Sequence, residues 1–455
     1  MIIQQFFVPG IAHSSYIVAG NRGCAVIDPE RDIGRYLDAA QQMGLSITHI
    51  LETHLHADFV SGHLDLAEAT GAEIYAPKSG NCAFPHVALS EGDGIELEHI
   101  RFSVIETAGH TPEHICYIAT DTSRGDTPVA LFSGDTLFVG DVGRPDLFPG
   151  RATELASSLY ENLHKKIMTL PDECEVYPAH GAGSLCGRAM AAKRTSTIGY
   201  EKKYNYALQI AGRDEFIRAL TSDMPAAPDH FSRCSEINRA GPALMSTLPE
   251  PEPVEPKPFA DRTGSPGAVL LDVRSYPAFS GMHIPGTWHI DISGSFATQA
   301  GWVLPPGKDI LLVTEDARQA KEAALQLRRV GFDQVTAYLK GGMLAWGTAA
   351  LPISRVPVIS PAEAAELIGS GDSVLIDVRS AEENVASDVK DSVHIPWHDL
   401  RTRHAELDPG RHYIMMCRGS QRASIAASIL KMNGFDHVSN LGGGFTAYQR
   451  AGFTP

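Results

Sequence analysis

The chain has 455 residues, 43% of them hydrophobic and 20% charged, enough at roughly 150 residues per domain for about three compact domains. Lysine and arginine number 38 against 54 acids, a formal charge of −16, which is the wrong sign for a protein that tracks phosphate backbones and argues against a nucleic-acid partner. The opening MIIQQFFVPGIAHSSY has no basic run leading into an apolar one, no stretch nears a membrane span, and the seven cysteines form no CxxC pair, so a reduced, cytoplasmic setting without export or membrane anchoring is expected.

The first 248 residues read as many short strands with Gly and Asp turns and interspersed helices, a mixed layered fold. At 53–63 the sequence THLHADFVSGH follows the apolar run ITHILE and places His54, His56 and Asp58 at alternating positions, so three polar groups can converge at one strand end. AGHTPEH with His110, FSGDTLF with Asp135 and YPAHGAG with His180 follow, each after an apolar run and near a glycine that lets the backbone turn sharply. Isolated histidines such as His86, His99 and His164 read as ordinary surface or core residues; the ordered set reads as a metal constellation.

These segments resemble the metallo-β-lactamase superfamily, whose HxHxDH, GH, GD and late His elements stand here in the same order. The resemblance implies an αββα sandwich. One position departs from it: Phe59 follows Asp58, where binuclear members such as the glyoxalase II hydrolases carry a histidine for a second metal, and a phenyl ring ligates nothing. A narrower resemblance is to the persulfide dioxygenases, in which GD is followed by GR-x-D, here within GDTLFVGDVGRPDL. It implies one iron(II) per chain held by His54, His110 and Asp135, with His56, Asp58 and His180 behind them as orienting groups and Arg144 and Asp146 as candidate substrate-binding residues. Two imidazoles and a carboxylate on one face of an octahedral iron leave positions for substrate sulfur and dioxygen together. The alternative is a zinc thioester hydrolase of glyoxalase II type. Downstream, Arg188, Lys193, Arg194, Lys202 and Lys203 stand against the single acid Glu201; the run is either a seat for an anionic thiol carrier or a solvated helix face. Cys186, six residues after His180, is expected to be an inert buried thiol.

LPEPEPVEPKP, with prolines at 249, 251, 253, 256 and 258 alternating with acids, predicts a linker over 249–266. A softer break falls in LPISRVPVISP, with a helix cap at Ser360. Between and after these breaks, 267–352 and 357–455 read as two copies of one unit: VLLDVRS at 269–275 recurs as VLIDVRS at 374–380, and YLKGGMLAW as NLGGGFTAY. Each alternates apolar strand-like runs with helical patterns, the mark of a parallel sheet covered by helices.

In the last copy, HYIMMCRGSQRASIAASILKMNGF reads as strand, tight loop and helix with Cys417 at the junction. The helix N-terminus and the charges of Arg418 and Arg422 favour a thiolate there, and loop amides can cradle an anion. With LIDVRS and LGGGFTAY, this resembles the rhodanese sulfurtransferases, in which the loop cysteine carries a sulfane sulfur. The run from Cys417 to Arg422 has the six-residue form rather than the longer loop of a related phosphatase branch, so sulfur is expected over phosphate. HIPGTWHI of the middle copy has become DVKDSVHI at 388–395. In the middle copy Thr314 stands at the cysteine position and Glu315 and Asp316 replace Arg418 and Gly419, which predicts a catalytically dead rhodanese.

The three parts together resemble a fusion of persulfide dioxygenase, inactive rhodanese and active rhodanese. The implied partners are a small persulfide, dioxygen and sulfite or thiosulfate, in sulfide detoxification; a homo-oligomer is also expected.

Overall fold

The computed structural model describes residues 1–222 and 224–453. The chain forms two compact units, one of Met1–Leu248 together with Arg328–Gly331, the other of Pro249–Leu327 and Phe332 onward.

The first unit holds two six-stranded sheets. One runs in chain order through β1 (Ile2–Val8), β2 (His13–Ala19), β3 (Gly23–Ile27), β4 (Ser46–Leu51), β5 (Glu73–Pro77) and β6 (Val87–Leu89); the other through β7 (Gly94–Leu97), β8 (Ile100–Glu106), β9 (Ile115–Asp121), β10 (Ala130–Gly134), β11 (Glu175–Pro178) and β12 (Ser196–Thr197). Strand alternation sorts the side chains into layers. Tyr16, Val18, Ala25 and Ile27 face inward and meet Phe102, Val104, Tyr117 and Phe132 of the other sheet. Their neighbours Ile17, Cys24 and Val26 face outward and pack with Tyr36 and Leu66, which the helices Gly34–Met43 and His63–Thr70 carry. Leu131 and Val176 do the same for the second sheet, under Leu159 and Phe216 of the helices Ala152–Lys165 and Arg213–Thr221. The result is an αββα sandwich. Emptying its centre, as by Phe102→Ala, costs about 3–5 kcal/mol at a fully buried aromatic.

The second unit contains two five-stranded parallel sheets of matching order. The first comprises β13 (Glu252–Val254), β14 (Ala268–Asp272), β15 (Trp288–His289), β16 (Asp309–Val313) and β17 (Val335–Leu339), in the order β13-β17-β16-β14-β15. The second comprises β18 (Val358–Ile359), β19 (Ser373–Asp377), β20 (Val393–His394), β21 (His412–Met416) and β22 (Val438–Leu441), in the order β18-β22-β21-β19-β20. The sequence repeat is therefore a structural repeat, and both copies fall within one compact unit.

The proline-rich stretch read as a linker is folded. Glu252–Val254 pairs in parallel with β17, and Pro256 opens the helix Pro256–Thr263. Both placements suit proline: β13 is an edge strand, so Pro253 forfeits no central ladder bond, and the first turn of a helix needs no partner for its N–H groups. Reading the alternation of prolines and acids as a spacer overlooked these tolerated positions. No helix among the described residues is long and apolar enough to cross a membrane.

Candidate metal centre and sulfur-transfer loop

Each metal-ligand motif lies just beyond a strand end: 53–58 after β4, His110 after β8, Asp135 after β10 and His180 after β11. Two glycines let the backbone close around them. A Cβ on Gly134, at φ +49, would lie 2.5 Å from His114 Nε2, and one on Gly143 would lie 1.9 Å from the Asp135 carbonyl oxygen.

His54, His110 and Asp135 converge with their ligand atoms within 4.8 Å of one another, all three side chains fully buried. His110 Nε2 is 3.3 Å and His54 Nε2 3.9 Å from Asp135 Oδ2. The hydrogen bonds behind them fix which atoms face inward. Thr53 Oγ1 donates to Asp28 Oδ2 (2.9 Å), so it must accept from His54 Nδ1–H (2.9 Å), which leaves the lone pair on Nε2. His110 Nδ1–H donates to the Arg144 carbonyl (2.9 Å), with the same outcome. Asp135 Oδ1 accepts from His180 Nδ1–H (2.7 Å), leaving Oδ2. His54 Nε2, His110 Nε2 and Asp135 Oδ2 are then three buried acceptors aimed at one point with no hydrogen-bond partner, an arrangement costly without a cation and well suited to one. Burial, and then the neighbouring rings of His56, His114 and His110, hold His54 well below the usual imidazole range; burial also lowers His110. Burial alone would raise Asp135, but the His180 ring outweighs it and keeps the carboxylate ionised. The donors therefore stand in the forms a metal requires.

The other expected residues are drawn close but differ in orientation. His56 Nε2 lies 3.1 Å from Asp28 Oδ1 and 4.0 Å from Glu52 Oε2, engaging acids outside the trio. His180 sits between two carboxylates, with Nε2 2.8 Å from Asp58 Oδ2, and these outweigh burial and raise it well above the ordinary range. Phe59 is fully buried against the rings of His13 and His56, at centroid distances of 4.1 and 4.4 Å. Cys186 lies beside Asp58 and His180, and burial, followed by the charges of Asp58 and Asp135, pushes its thiol well up.

Arg144 and Asp146 depart from the substrate-binding expectation. The guanidinium is spent inside the protein: Nε and Nη2 donate to Asp146 at 2.7 Å each, Nη1 to the Leu185 carbonyl at 3.2 Å and Nη2 also to that of Pro225 at 2.6 Å. What the GR-x-D turn offers the site is the Arg144 carbonyl that orients His110. The basic run disperses likewise. Arg188 donates to the carbonyls of Ala219 and Ser222, Lys202 pairs with Asp172, Arg194 lies 3.8 Å over the Phe7 ring and Lys193 5.4 Å over Tyr200.

Several positioning residues were not singled out from sequence. Asp28 holds Thr53 through both N–H and Oγ1. His114 stacks on His54 at 4.7 Å and accepts the Asp135 N–H at 2.9 Å; burial pushes it down to about 3, so it stays neutral and able to accept. Asn238 donates to the carbonyls of His56 and Phe59, at 2.8 Å each, and accepts Ser61 N–H at 2.9 Å, closing the ligand loop. Asp28 follows the apolar run AVI at a strand end as the ligands do, and that was its signal; Asn238 had none.

In the second unit Cys417 follows β21 directly, buried at 1% exposure. Its carbonyl accepts Phe445 N–H at 2.7 Å, and a Cβ on Gly444 (φ +58) would stand 2.2 Å from that oxygen. Ser420 is left-handed at φ 77 and spends its hydroxyl on the Leu441 carbonyl (2.7 Å), so the helix Gln421–Met432 begins with no side-chain cap. Arg422 binds Glu383 bidentately at 2.5 and 2.8 Å; burial opposes its charge, and Glu383 together with Cys417 beside it outweighs that. Arg418 is exposed. In the middle copy the Thr314 hydroxyl donates to the Asp316 carbonyl at 3.0 Å, and Asp316 Oδ1 accepts Gln319 N–H at 2.7 Å.

The metallo-β-lactamase superfamily model matches residues 8–180, and the rhodanese-like domain model matches 255–349 and 360–451. The crystal structure of a metallo-β-lactamase from Staphylococcus aureus subsp. aureus COL is similar at a TM-score of 0.67 and 34% identity, over 74% of this chain and 98% of that one. The hydroxyacylglutathione hydrolase of Pseudomonas entomophila (strain L48) is 36% identical over 218 residues, 48% of this chain and 80% of that protein. The mitochondrial persulfide dioxygenase ETHE1 of Mus musculus is 28% identical over 225 residues, again 48% of this chain and 80% of that protein.

Proposed function

We propose a function for this chain from the premise that it belongs to the metallo-β-lactamase superfamily and carries two rhodanese-like domains in tandem behind that domain. It is an enzyme of sulfane sulfur: the first domain oxidises a small persulfide, and Cys417 moves sulfane sulfur to or from sulfite. The carrying observation is the trio of buried, unpartnered acceptors His54 Nε2, His110 Nε2 and Asp135 Oδ2, with a phenyl ring at 59, packed on His56, that cannot serve a second ion. Iron(II) held by these three groups would supply adjacent open positions for a sulfur ligand and dioxygen.

The net reaction is RSSH + O2 + H2O → RSH + SO3²⁻ + 2H⁺. The terminal sulfur is oxidised, both atoms of dioxygen are reduced, and water supplies the third oxygen. The chain's own residues prepare the site. Thr53 and the Arg144 carbonyl hold the two imidazoles in the binding tautomer, while His180, kept charged between Asp58 and Asp135, fixes the carboxylate. Lys193 and Arg194 are the cations proposed to meet an anionic thiol carrier such as glutathione or coenzyme A; Arg144 and Asp146 position His110.

At the last domain, R–S–S⁻ and the Cys417 thiolate exchange to give R–S⁻ and Cys417–S–S⁻; sulfite then takes the outer sulfur, releasing thiosulfate and regenerating the thiolate, and the reverse direction starts from thiosulfate. The uncapped start of Gln421–Met432 and the paired Arg422 support an anion beside the thiol. An odd count of seven cysteines with no CxxC pair supports a reducing, cytoplasmic setting for this chemistry.

Oxygen uptake by the iron-loaded protein on adding glutathione persulfide, with sulfite formed, tests the first half; an iron-containing preparation that takes up no oxygen with glutathione or coenzyme A persulfide overturns it. Similarity to hydroxyacylglutathione hydrolases favours one other reading, a zinc thioester hydrolase. Anaerobic hydrolysis of a glutathione thioester by the zinc form, lost on chelation, would establish that reading instead.

A further inference from the structure

The helix that follows the Cys417 loop is buried along Ala423–Leu430. Its buried surface is not uniformly apolar. Gln421, Ser424 and Ser428 lie at i, i+3 and i+7, one stripe of a helix, and all three hydrogen-bond to the thiol-less copy. Gln421 Nε2 donates to Ser293 Oγ at 2.9 Å, and Ser293 in turn donates to Asp291 Oδ1 at 2.8 Å. The His289 ring donates from Nε2 to the Arg274 carbonyl at 3.0 Å, so its Nδ1 carries the lone pair that accepts Ser424 Oγ–H at 2.8 Å. His289 N–H donates to Ser428 Oγ at 3.1 Å. Burial lowers His289 and keeps the accepting form.

The arrangement is specific to this helix. His394, the matching residue of the last copy, makes the same bond to its own Arg379 carbonyl at 2.9 Å; at His289 the second nitrogen has been turned to the neighbouring copy. The stripe of the middle copy that matches 421, 424 and 428 is Arg318, Lys321 and Leu325, whose two cations are exposed. Two serines at 0% exposure would pack as well as alanines. What the hydroxyls add is register, since a hydrogen bond fixes position to tenths of an ångström where apolar contact tolerates sliding.

We propose that the thiol-less copy is the positioning half of the sulfur-transfer site: through Ser293 and His289 it holds the first two turns of Gln421–Met432, and so sets where the loop amides and Arg422 stand relative to an anion at Cys417. This rests on the reading of Cys417 as a sulfur carrier. Ser293, His289, Ser424 and Ser428 are positioning residues; none is placed against substrate.

The test uses the full chain and two variants chosen to spare the fold. Ser424→Ala/Ser428→Ala replaces helix-interior serines by a better helix former, and Ser293→Ala alters an exposed residue. Each is alkylated at Cys417 with iodoacetate and with iodoacetamide, and KM and kcat for thiosulfate are measured. A cradle for anions favours the charged reagent, so the iodoacetate-to-iodoacetamide rate ratio is expected to fall several-fold in both variants, with KM for thiosulfate rising more than kcat falls. His289→Gln, which keeps a donor and an acceptor, is expected to retain the wild-type ratio. An unchanged ratio and KM in both alanine variants overturns the proposal, and so does a lowered Tm with the ratio unmoved, which would make the contact a scaffold only. Alkylation needs no sulfur donor, so a wild type that transfers no sulfur would overturn the functional reading while leaving this test intact.

Discussion

The two rhodanese-like copies share a fold and a strand order yet treat the same helix N-terminus in opposite ways. In the middle copy Asp316 accepts Gln319 N–H, so an acid of the chain's own occupies the place where an anion would bind. In the last copy Ser420 swings into the left-handed region, commits its hydroxyl to Leu441, and leaves the first turn of Gln421–Met432 without a side-chain cap. The cation follows the same division. Arg422 with its partner Glu383 has become Gln319 with Ala278. The copy with Thr314 in place of the thiol thus also has its helix start filled by its own acid and no arginine at the position matching Arg422. A capped helix contributes about 1 kcal/mol more stability than an uncapped one, so the loop of Cys417 forgoes stability that the loop of Thr314 keeps.

The contrast can be broken most severely at the nucleophile. Cys417→Ser should lower sulfur transfer by about 10³-fold or more, the scale on which removing a nucleophile acts, with persulfide-dependent oxygen uptake unchanged and sulfite accumulating. His54→Ala or Asp135→Ala should do the reverse; parallel sulfite and thiosulfate assays read both.

Next comes pH, which should distinguish the copies through His283. Burial lowers this ring to about 4; Asp272, Lys431 and His289 also act on it, and the last copy has Asp388 at the matching position. The ring is neutral when folded and titrates near 6.5 when unfolded, so its contribution is complete above pH 6.5 and is lost as pH falls from 6.5 through about 4, worth up to about 3 kcal/mol. Tm measured from pH 7.5 to 4.5 should fall less steeply in His283→Gln than in the wild type.

Smaller again is a graft. Thr314→Cys in a Cys417→Ser background should restore under about 1% of sulfur transfer, and adding Asp316→Gly should raise that about tenfold, equivalent to about 1.4 kcal/mol in the barrier; cyanide-dependent thiosulfate turnover reads it. Least of all, Glu383→Gln should cost about 1–2 kcal/mol of stability by leaving a half-buried guanidinium short of its charged acceptor, with a several-fold change in KM for thiosulfate.

How much of this was legible beforehand varied with how local the cause was. The repeat and the loop without a thiol could be read from VLLDVRS, VLIDVRS and the substitution at 314, because strand periodicity and loop chemistry are written in neighbouring residues. The trio His54, His110 and Asp135 was nominated by the resemblance to the persulfide dioxygenases and is brought together in space. What sequence could not supply was direction. His56 carries the same side chain as His54 two positions away, yet it turns to Asp28 because Thr53 and Asp28 set the tautomer of one and the contact of the other. Arg144 looked like a substrate clamp and is instead an internal fastener, since the carbonyls of Leu185 and Pro225, distant in the chain, consume its donors. The proline-rich segment misled because composition reports what a central strand forbids and not what an edge strand permits.

Asn238 has a consequence in time as well as in space. All the metal donors are in the growing chain once Asp135 is made, but the clamp on the His56 to Ser61 turn lies some way further along, in the helix His230–Ala240. During synthesis the ligands exist before the turn that holds them is closed, and the loop must wait for a long-range partner whose closure is paid for last. The full chain carrying Asn238→Ala should therefore contain every donor and yet retain less metal through gel filtration than the wild type. The centre is finished by its last helix, so a cell that loads metal during translation would meet an open site, and one that loads it afterwards a closed one.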